Sequence, residues 1–227
     1  MKIRPRFIPV TAAFLIALTA VTSVKAQDAS VDQLIKKLPP PEKVVQADPA
    51  SRDPLAKQII DAIKRMNFGN AYAMSQKLAA RYPKSAGAHS LHGQLALLMR
   101  HYSEASYAFH KAISIQPNFA FAYVGLALSE ASQNHINAAM TDFRQVTRLH
   151  PNADVGWIGL SACAEKLGRK DDCLQYARRA TTVAPSSFAA WLQLSRAEGI
   201  SGNRQAATNA LARANQLRRS AGKANKR

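Results

Sequence analysis

The chain has 227 residues, of which 47% are apolar, and 31 Lys and Arg against 14 Asp and Glu give a formal charge of +17. This apolar content is enough for a folded protein, and the length is that of one or two domains. A chain too polar to form a core is therefore excluded, and the charge favours anionic partners.

The first 26 residues have the three parts of a secretory signal peptide. Lys2, Arg4 and Arg6 precede an apolar run over residues 10–24, and a small-residue site ends at Ala26. The run is short of the roughly 20 apolar residues of a membrane span, and no cysteine near the site would carry a lipid anchor. We expect cleavage after Ala26 and a periplasmic or secreted chain with no transmembrane span. Its formal charge falls by four, from +17 to +13.

Residues 27–51 form a separate segment with a short amphipathic helix and a Pro-rich linker. Ser30 and Gln33 have the spacing of a capping box, and residues 39–41 are three prolines that end the helix. Apolar residues follow a spacing of i, i+3, i+4 and i+7, which predicts two helical turns: Val31, Leu34, Ile35 and Leu38. Two interpretations stay open. In the first, the helix docks on a partner or on its own chain; in the second, the segment is a mobile arm.

From residue 52 the sequence repeats every 34 residues. A proline recurs at that interval, at Pro83, Pro117, Pro151 and Pro185, and a small residue precedes each proline by twelve positions. An apolar set at helical spacing recurs upstream, clearest as Tyr123, Leu126 and Ala127, then Trp157, Leu160 and Ser161, then Trp191, Leu194 and Ser195. Each unit is therefore predicted to be two helices, separated by a break such as Gly168 or Gly202 and ended by the proline.

Five units follow this pattern, over 52–85, 86–119, 120–153, 154–187 and 188–221, and a basic tail occupies 222–227. The pattern resembles the tetratricopeptide repeat (TPR) family, whose unit carries an aromatic, a Leu-Gly pair, Ala, an aromatic, Ala and Pro in this order. Leu55 stands where the family prefers Trp, and the Gly of the pair is present only as Gly93. The resemblance implies an all-α fold, a right-handed superhelical α-solenoid of about five helix-turn-helix repeats.

The sequence contains no cluster of groups suited to catalysis. His89 and His92 are three residues apart, but the 34-residue frame gives them the positions of Tyr123 and Leu126, which predicts that both point into the seam between helices. No Cys, Asp or Glu nearby completes a metal-ligand set, and there is no glycine loop for phosphates. We therefore predict a protein that is not an enzyme and needs no cofactor or metal.

Cys163 and Cys173 are the only cysteines and belong to the two helices of the fourth unit. An exported protein meets oxidising conditions, in which a disulfide between them would stabilise the hairpin. The alternative is two buried thiols that act as small apolar side chains.

The first helices carry a second apolar stripe. In the family that the sequence resembles, first helices line a concave side that receives a peptide or a partner helix. By that resemblance a partner-binding groove would be lined by Gln94, Leu98, Phe121, Val124, Leu128, Val155, Ile158, Leu192 and Arg196. The alternative is that part of the stripe packs against neighbouring first helices.

The leading hypothesis is an exported adaptor or scaffold that holds a partner protein or peptide in this apolar groove and helps to organise a complex of the cell envelope. The competing hypothesis is electrostatic binding of an anionic envelope polymer or of lipid head groups through the arginines near the carboxyl terminus. Nucleic acid is disfavoured, because the chain is predicted to be exported and no aromatic residues alternate with the basic ones.

Overall fold

The structure, a computed structural model, describes residues 48–224, with side chains described to residue 220. The predicted signal peptide, the amphipathic segment 31–38 and the last three residues of the tail lie outside this range. Within it, a short 3-10 helix, Pro49–Arg52, precedes ten α-helices: α1 Pro54–Lys64, α2 Phe68–Arg81, α3 Ala86–Leu98, α4 Tyr102–Ile115, α5 Ala120–Ser132, α6 Ile136–Leu149, α7 Asp154–Lys166, α8 Lys170–Val183, α9 Phe188–Ile200 and α10 Arg204–Ala224.

Consecutive helices pack as hairpins, α1 with α2 through α9 with α10, and residues 48–224 contain no strand. The all-α fold class predicted from the period is confirmed. The last helix has 21 residues, whereas α2, α4, α6 and α8 have 14 each. The sequence explains the difference, because Arg219 stands where a fifth closing proline would end α10.

Polar side chains cap several helices at their first turns. Asp53 accepts a hydrogen bond from the Leu55 N–H at 2.8 Å, and Ser85 and Ser187 accept from amides three residues further on. These side chains satisfy amides that have no partner within the helix. The hairpins therefore begin at positions that the local sequence defines.

The turn inside every hairpin has the same backbone conformation. A residue with positive φ recurs every 34 positions: Met66, Arg100, Asn134, Gly168 and Gly202. In the fourth hairpin the Arg169 N–H donates to the Ala164 carbonyl and the Gly168 N–H to the Glu165 carbonyl, at 2.9 and 3.1 Å. This is the Schellman ending of a helix. The sequence predicted this break only where the residue is glycine.

Small residues allow the two helices of a hairpin to approach closely. Ser161 of α7 donates its hydroxyl to the carbonyl of Cys173 on α8 at 2.8 Å, and Ser195 of α9 donates to the carbonyl of Ala207 on α10 at the same distance. Both pairs occupy the positions for which the 34-residue frame predicted small side chains. A larger residue there would separate the helices.

Contacts between successive hairpins also depend on missing side chains. A Cβ added to Gly159 of α7 would lie 2.4 Å from the ring of Phe143 on α6, and one added to Gly156 would lie 2.7 Å from the Thr147 methyl group. The second helix of one hairpin thus packs directly on the backbone of the next first helix. The core is therefore a series of such contacts along the chain.

The described residues divide into two compact units, 48–119 with α1 to α4 and 120–224 with α5 to α10. In the first unit a cluster of apolar side chains joins α1, α2 and α3, centred on Ile59, Ile63, Leu78 and Leu95. In the second unit the fully buried side chains include Met140, Val146, Ile158 and Leu160.

Candidate partner-binding face

The face predicted to bind a partner is built, in the second unit, from the first helix of each hairpin. We call the second, fifth and ninth residues of α5, α7 and α9 the first-helix face, because residues three and four positions apart share one side of a helix. Its members are Phe121, Val124 and Leu128 on α5, Val155, Ile158 and Ala162 on α7, and Ala189, Leu192 and Arg196 on α9.

Side chains of the first-helix face become more exposed from α5 and α7 to α9. Phe121 and Leu192 are half-buried, and Arg196 is exposed. Four residues predicted to line the groove are buried, with 0–5% of their surface exposed: Val124, Leu128, Val155 and Ile158. The prediction that these four residues line a partner-binding groove therefore stays a prediction, and their burial fits the alternative that part of the stripe is packed within the array. Packing explains part of the burial, because the neighbouring first helices α7 and α9 contact each other.

The two remaining residues of the predicted groove lie in the first unit, on α3. Leu98 is half-buried and packs against the apolar cluster of that unit. Gln94 is half-buried, and its amide Nε2 donates to the Ser90 hydroxyl at 3.4 Å. Neither residue is fully available as a contact for a partner.

A polar cluster in the first unit was not recognised from the sequence as a connected group. The buried imidazole of His92 lies 3.0 Å from a Glu104 carboxylate oxygen and, through Nδ1, 3.1 Å from the Ser75 hydroxyl. Tyr72 donates its hydroxyl to the other Glu104 oxygen at 2.5 Å. One feature of the sequence could have indicated it, because His92 occupies a position of the 34-residue frame that is leucine in the next three units.

The electrostatics of this cluster suit a structural role. Burial lowers the pKa of His92, an effect that the nearby Glu104 carboxylate opposes. Burial would raise the pKa of Glu104, but the hydrogen bonds from Tyr72 and His92 outweigh burial and lower it. The hydroxyl of Ser75 donates to the Tyr72 carbonyl at 2.7 Å, and Ser75 is fully buried. Ser75 is therefore not positioned to attack a substrate, although Ser, His and Glu are in series.

The sequence predicted that His89 points into the seam between helices, but the structure places its ring against the preceding loop. It is half-buried, and its Nε2 lies 3.0 Å from the carbonyl oxygen of the closing Pro83. Trp157 and Trp191, at the same position in later units, donate their indole N–H to the carbonyls of the closing prolines Pro151 and Pro185 at 3.0 and 2.8 Å. A ring that carries an N–H needs an acceptor, so this position joins α3, α7 and α9 to the loops before them.

Cys163 and Cys173 are free and buried in the structure. This is the second of the two alternatives that the sequence left open. Burial raises the pKa of Cys163 to about 12 and raises the pKa of Cys173 as well. Both groups are therefore thiols rather than thiolates near neutral pH, and they fill space as small apolar side chains do.

An ion pair of the second unit joins two successive hairpins. Glu198 on α9 is buried and accepts from Arg178 on α8 at 2.9 Å and from the Asn203 side chain at 2.7 Å. On α10, basic side chains are exposed, including Arg204, Arg213, Arg218 and Arg219. Within residues 48–224, no group of three or more His, Cys, Asp and Glu could hold a metal ion, and no helix is long and apolar enough to cross a membrane.

No family model and no curated protein matches the sequence, but many solved structures share the arrangement of helices. YrrB, described as a TPR protein with an unusual peptide-binding site, matches with a TM-score of 0.56 and 17% identity, over 78% of this chain and 91% of YrrB. This chain has the fold of TPR proteins.

Two further structures extend the comparison. MamA from Desulfovibrio magneticus RS-1 matches with a TM-score of 0.64 and 13% identity, over 73% of this chain and 94% of MamA. PilW, described as a widely conserved type IV pilus biogenesis factor, matches with a TM-score of 0.64 and 16% identity, over 71% of this chain and 74% of PilW. At such identities the likeness concerns the fold alone.

Proposed function

We propose that this chain is an exported, non-enzymatic adaptor that holds a partner protein or peptide on its first-helix face and helps to assemble or organise a complex of the cell envelope. The observation that carries the proposal is the row of apolar side chains on the first helices, which is buried on α5 and α7 and half-buried at Leu192 of α9, beside the exposed Arg196. Apolar residues beside a charged rim are the usual composition of a protein-binding surface.

Two further observations support the proposal. The acid, base and hydroxyl groups that are in series, Glu104, His92 and Ser75, lie in a closed cluster in the first unit. The TPR proteins YrrB and PilW, which share the fold, are described as having a peptide-binding site and as a pilus biogenesis factor. Export is supported by the signal-peptide pattern of residues 1–26.

A matched pair of leucine substitutions tests the proposal. Leu192 lies on the first-helix face, whereas Leu211 is 42% exposed on the second helix α10. Partners would be recovered from envelope extracts with tagged wild-type protein and identified by mass spectrometry. We expect Leu192→Asp to abolish recovery and Leu211→Asp to retain it, with both variants as helical as wild type by circular dichroism. Equal recovery by the two variants would contradict the proposal.

A second candidate function is binding of an anionic polymer or lipid head groups through α10. The observation in its favour is the set of exposed arginines on this helix. Replacement of Arg218 and Arg219 by Ser would abolish such binding. The same change would leave a ligand of the first-helix face bound.

A further inference from the structure

On α5 and α7 the first-helix face is buried although it lies opposite the side that packs on the second helices. Ile158 and Leu160 are two residues apart on α7 and therefore lie on opposite sides of it, at roughly 160°. Leu160 belongs to the repeated seam set, and both residues are buried, with 1% and 2% of their surface exposed. Val124 and Leu126 repeat this relationship on α5, with 1% and 2% exposed. A helix with buried apolar residues on opposite sides must be covered on both.

The contacts of α7 define the covered sides. Phe143 of α6 lies against Gly159, and α8 supplies the carbonyl that accepts from Ser161. From α9, Gln193 donates its amide to Ser161 at 3.1 Å and to Glu165 at 3.3 Å. The equivalents of Ile158 and Ala162 on α9, namely Leu192 and Arg196, are half-buried and exposed. Cover is therefore specific to α5 and α7.

Between the predicted cleavage site and Asp48 the sequence contains a segment suited to this cover. Residues 31–38 have apolar side chains at i, i+3, i+4 and i+7, between the Ser30 cap and three prolines. A helix of two turns does not persist alone in water and needs an apolar surface to pack on. The spacing predicts that Lys36 and Lys37 are on the side of such a helix away from the apolar stripe.

We propose that residues 31–38 of this chain pack on the first-helix face of α5 and α7 and act as an internal ligand that a partner must displace. This regulation rests on the proposed function, because it concerns the same face. When the segment occupies the face for part of the time, the apparent affinity for a partner is the intrinsic affinity multiplied by the fraction of time that the face is free.

The tether favours the segment of the same chain over that of a second copy. The linker between Leu38 and Asp48 has nine residues and a fully extended length of about 30 Å, and a tether of sufficient length raises the effective concentration of a segment above that of the same segment on a second copy. The side chain of Asp48 accepts from the Ser85 hydroxyl at 2.5 Å and from the Gly87 N–H at 3.1 Å, so the linker begins at a fixed point. Two copies of the exported chain, whose formal charge falls by four from +17 to +13 after the predicted cleavage, also repel each other.

Cross-linking of the exported chain tests this directly. Cys163→Ala and Cys173→Ala provide a background without cysteine, and Ile35→Cys is then combined with Ala162→Cys on the first-helix face. The matched control combines Ile35→Cys with Ala212→Cys, since Ala212 is exposed on α10. With a short bis-maleimide we expect a cross-link within one chain for the first pair only. A dimer band would mean that a second copy is the occupant, and no cross-link would mean that the segment does not dock; either would overturn the proposal.

A second experiment measures whether the segment regulates partner binding. Leu34→Asp changes the apolar side of the segment, and Lys36→Asp changes its polar side. We expect Leu34→Asp to abolish the cross-link and to increase partner recovery several-fold, and Lys36→Asp to change neither. An abolished cross-link with unchanged partner recovery would contradict regulation. Recovery of no partner by any variant would refute the adaptor function, while the cross-link would still report docking.

Discussion

Gly159 of α7 lies directly beneath the ring of Phe143 on α6, so that an added Cβ would stand 2.4 Å from the ring. Phe143 is only 2% exposed, and its ring has little room to move. The pair joins the third hairpin to the fourth, and it shows how closely successive repeats depend on one missing side chain.

We therefore expect Gly159→Ala to destabilise the protein by roughly 1–3 kcal/mol, as overpacking of a core does. The control is Gly69→Ala on α2, where no heavy atom lies within 4 Å of the added Cβ. This change should leave stability equal or slightly higher, since alanine favours helix. Urea unfolding monitored by circular dichroism measures both. Wild-type stability in Gly159→Ala would contradict the close contact.

The repeated positive φ in the hairpin turns gives a prediction that depends on the backbone alone. Gly168 has φ of 69°, and no atom would contact an added Cβ. Gly168→Ala should therefore cost roughly 1 kcal/mol, from conformation rather than from a clash. Arg100 adopts a φ of 64° although it carries a side chain, so Arg100→Gly should raise the free energy of unfolding by about 0.5 kcal/mol. The greater flexibility of glycine in the unfolded chain reduces this gain. Changes of the same sign for the two variants would contradict this account.

The buried His92 makes stability dependent on pH. Because burial lowers its pKa, the unfolded chain binds more protons than the folded one below the ordinary imidazole value near 6.5. Stability is therefore greatest above about pH 6.5 and is lost as the pH falls from there through the folded pKa. The lowered pKa of Glu104 acts in the same direction at more acidic pH.

His92→Leu tests this sign, because leucine occupies the same frame position in the next three units. Urea midpoints at about pH 7.5 and about pH 5.5 should differ for wild type and differ less for His92→Leu. His110→Gln, which changes an exposed histidine of α4, should behave as wild type. An equal loss at acid pH in wild type and His92→Leu would show that another group causes it.

The number of free thiols tests whether Cys163 and Cys173 are unpaired. Thiol titration of the unfolded, unreduced protein should find two free thiols, as the structure has them. In the native protein both should react slowly, since burial raises the pKa of each. No free thiol in the unfolded protein would instead show a disulfide between Cys163 and Cys173.

The sequence predicted the fold well because a period is a property of the whole chain. The recurring prolines and small residues required repeated hairpins, and Ser161 beside Cys173 is the close approach that they indicated. The turns at Met66 and Arg100 were missed because such residues seldom adopt the left-handed conformation. The turn at Asn134 was missed although asparagine adopts this conformation more readily than most residues that carry a side chain.

The candidate site was predicted less well than the fold. Helical spacing correctly placed Val124 and Ile158 on one side of their helices, but it could not show that this side is covered. The cluster around Glu104 was missed because Tyr72, His92 and Glu104 come from three different helices. Spacing reports neighbours on one helix, whereas burial and cross-helix contacts depend on packing.

The central claim, that a partner binds an apolar face of the first helices, is tested most directly by the salt dependence of partner affinity. For a partner captured by the wild-type chain, the dissociation constant would be measured by calorimetry at low and at high ionic strength. Apolar contacts on the face around Leu192 predict little change, because salt screens charges and leaves apolar burial intact. A steep loss of affinity at high salt, abolished by Arg218→Ser with Arg219→Ser and not by Leu192→Asp, would contradict the claim.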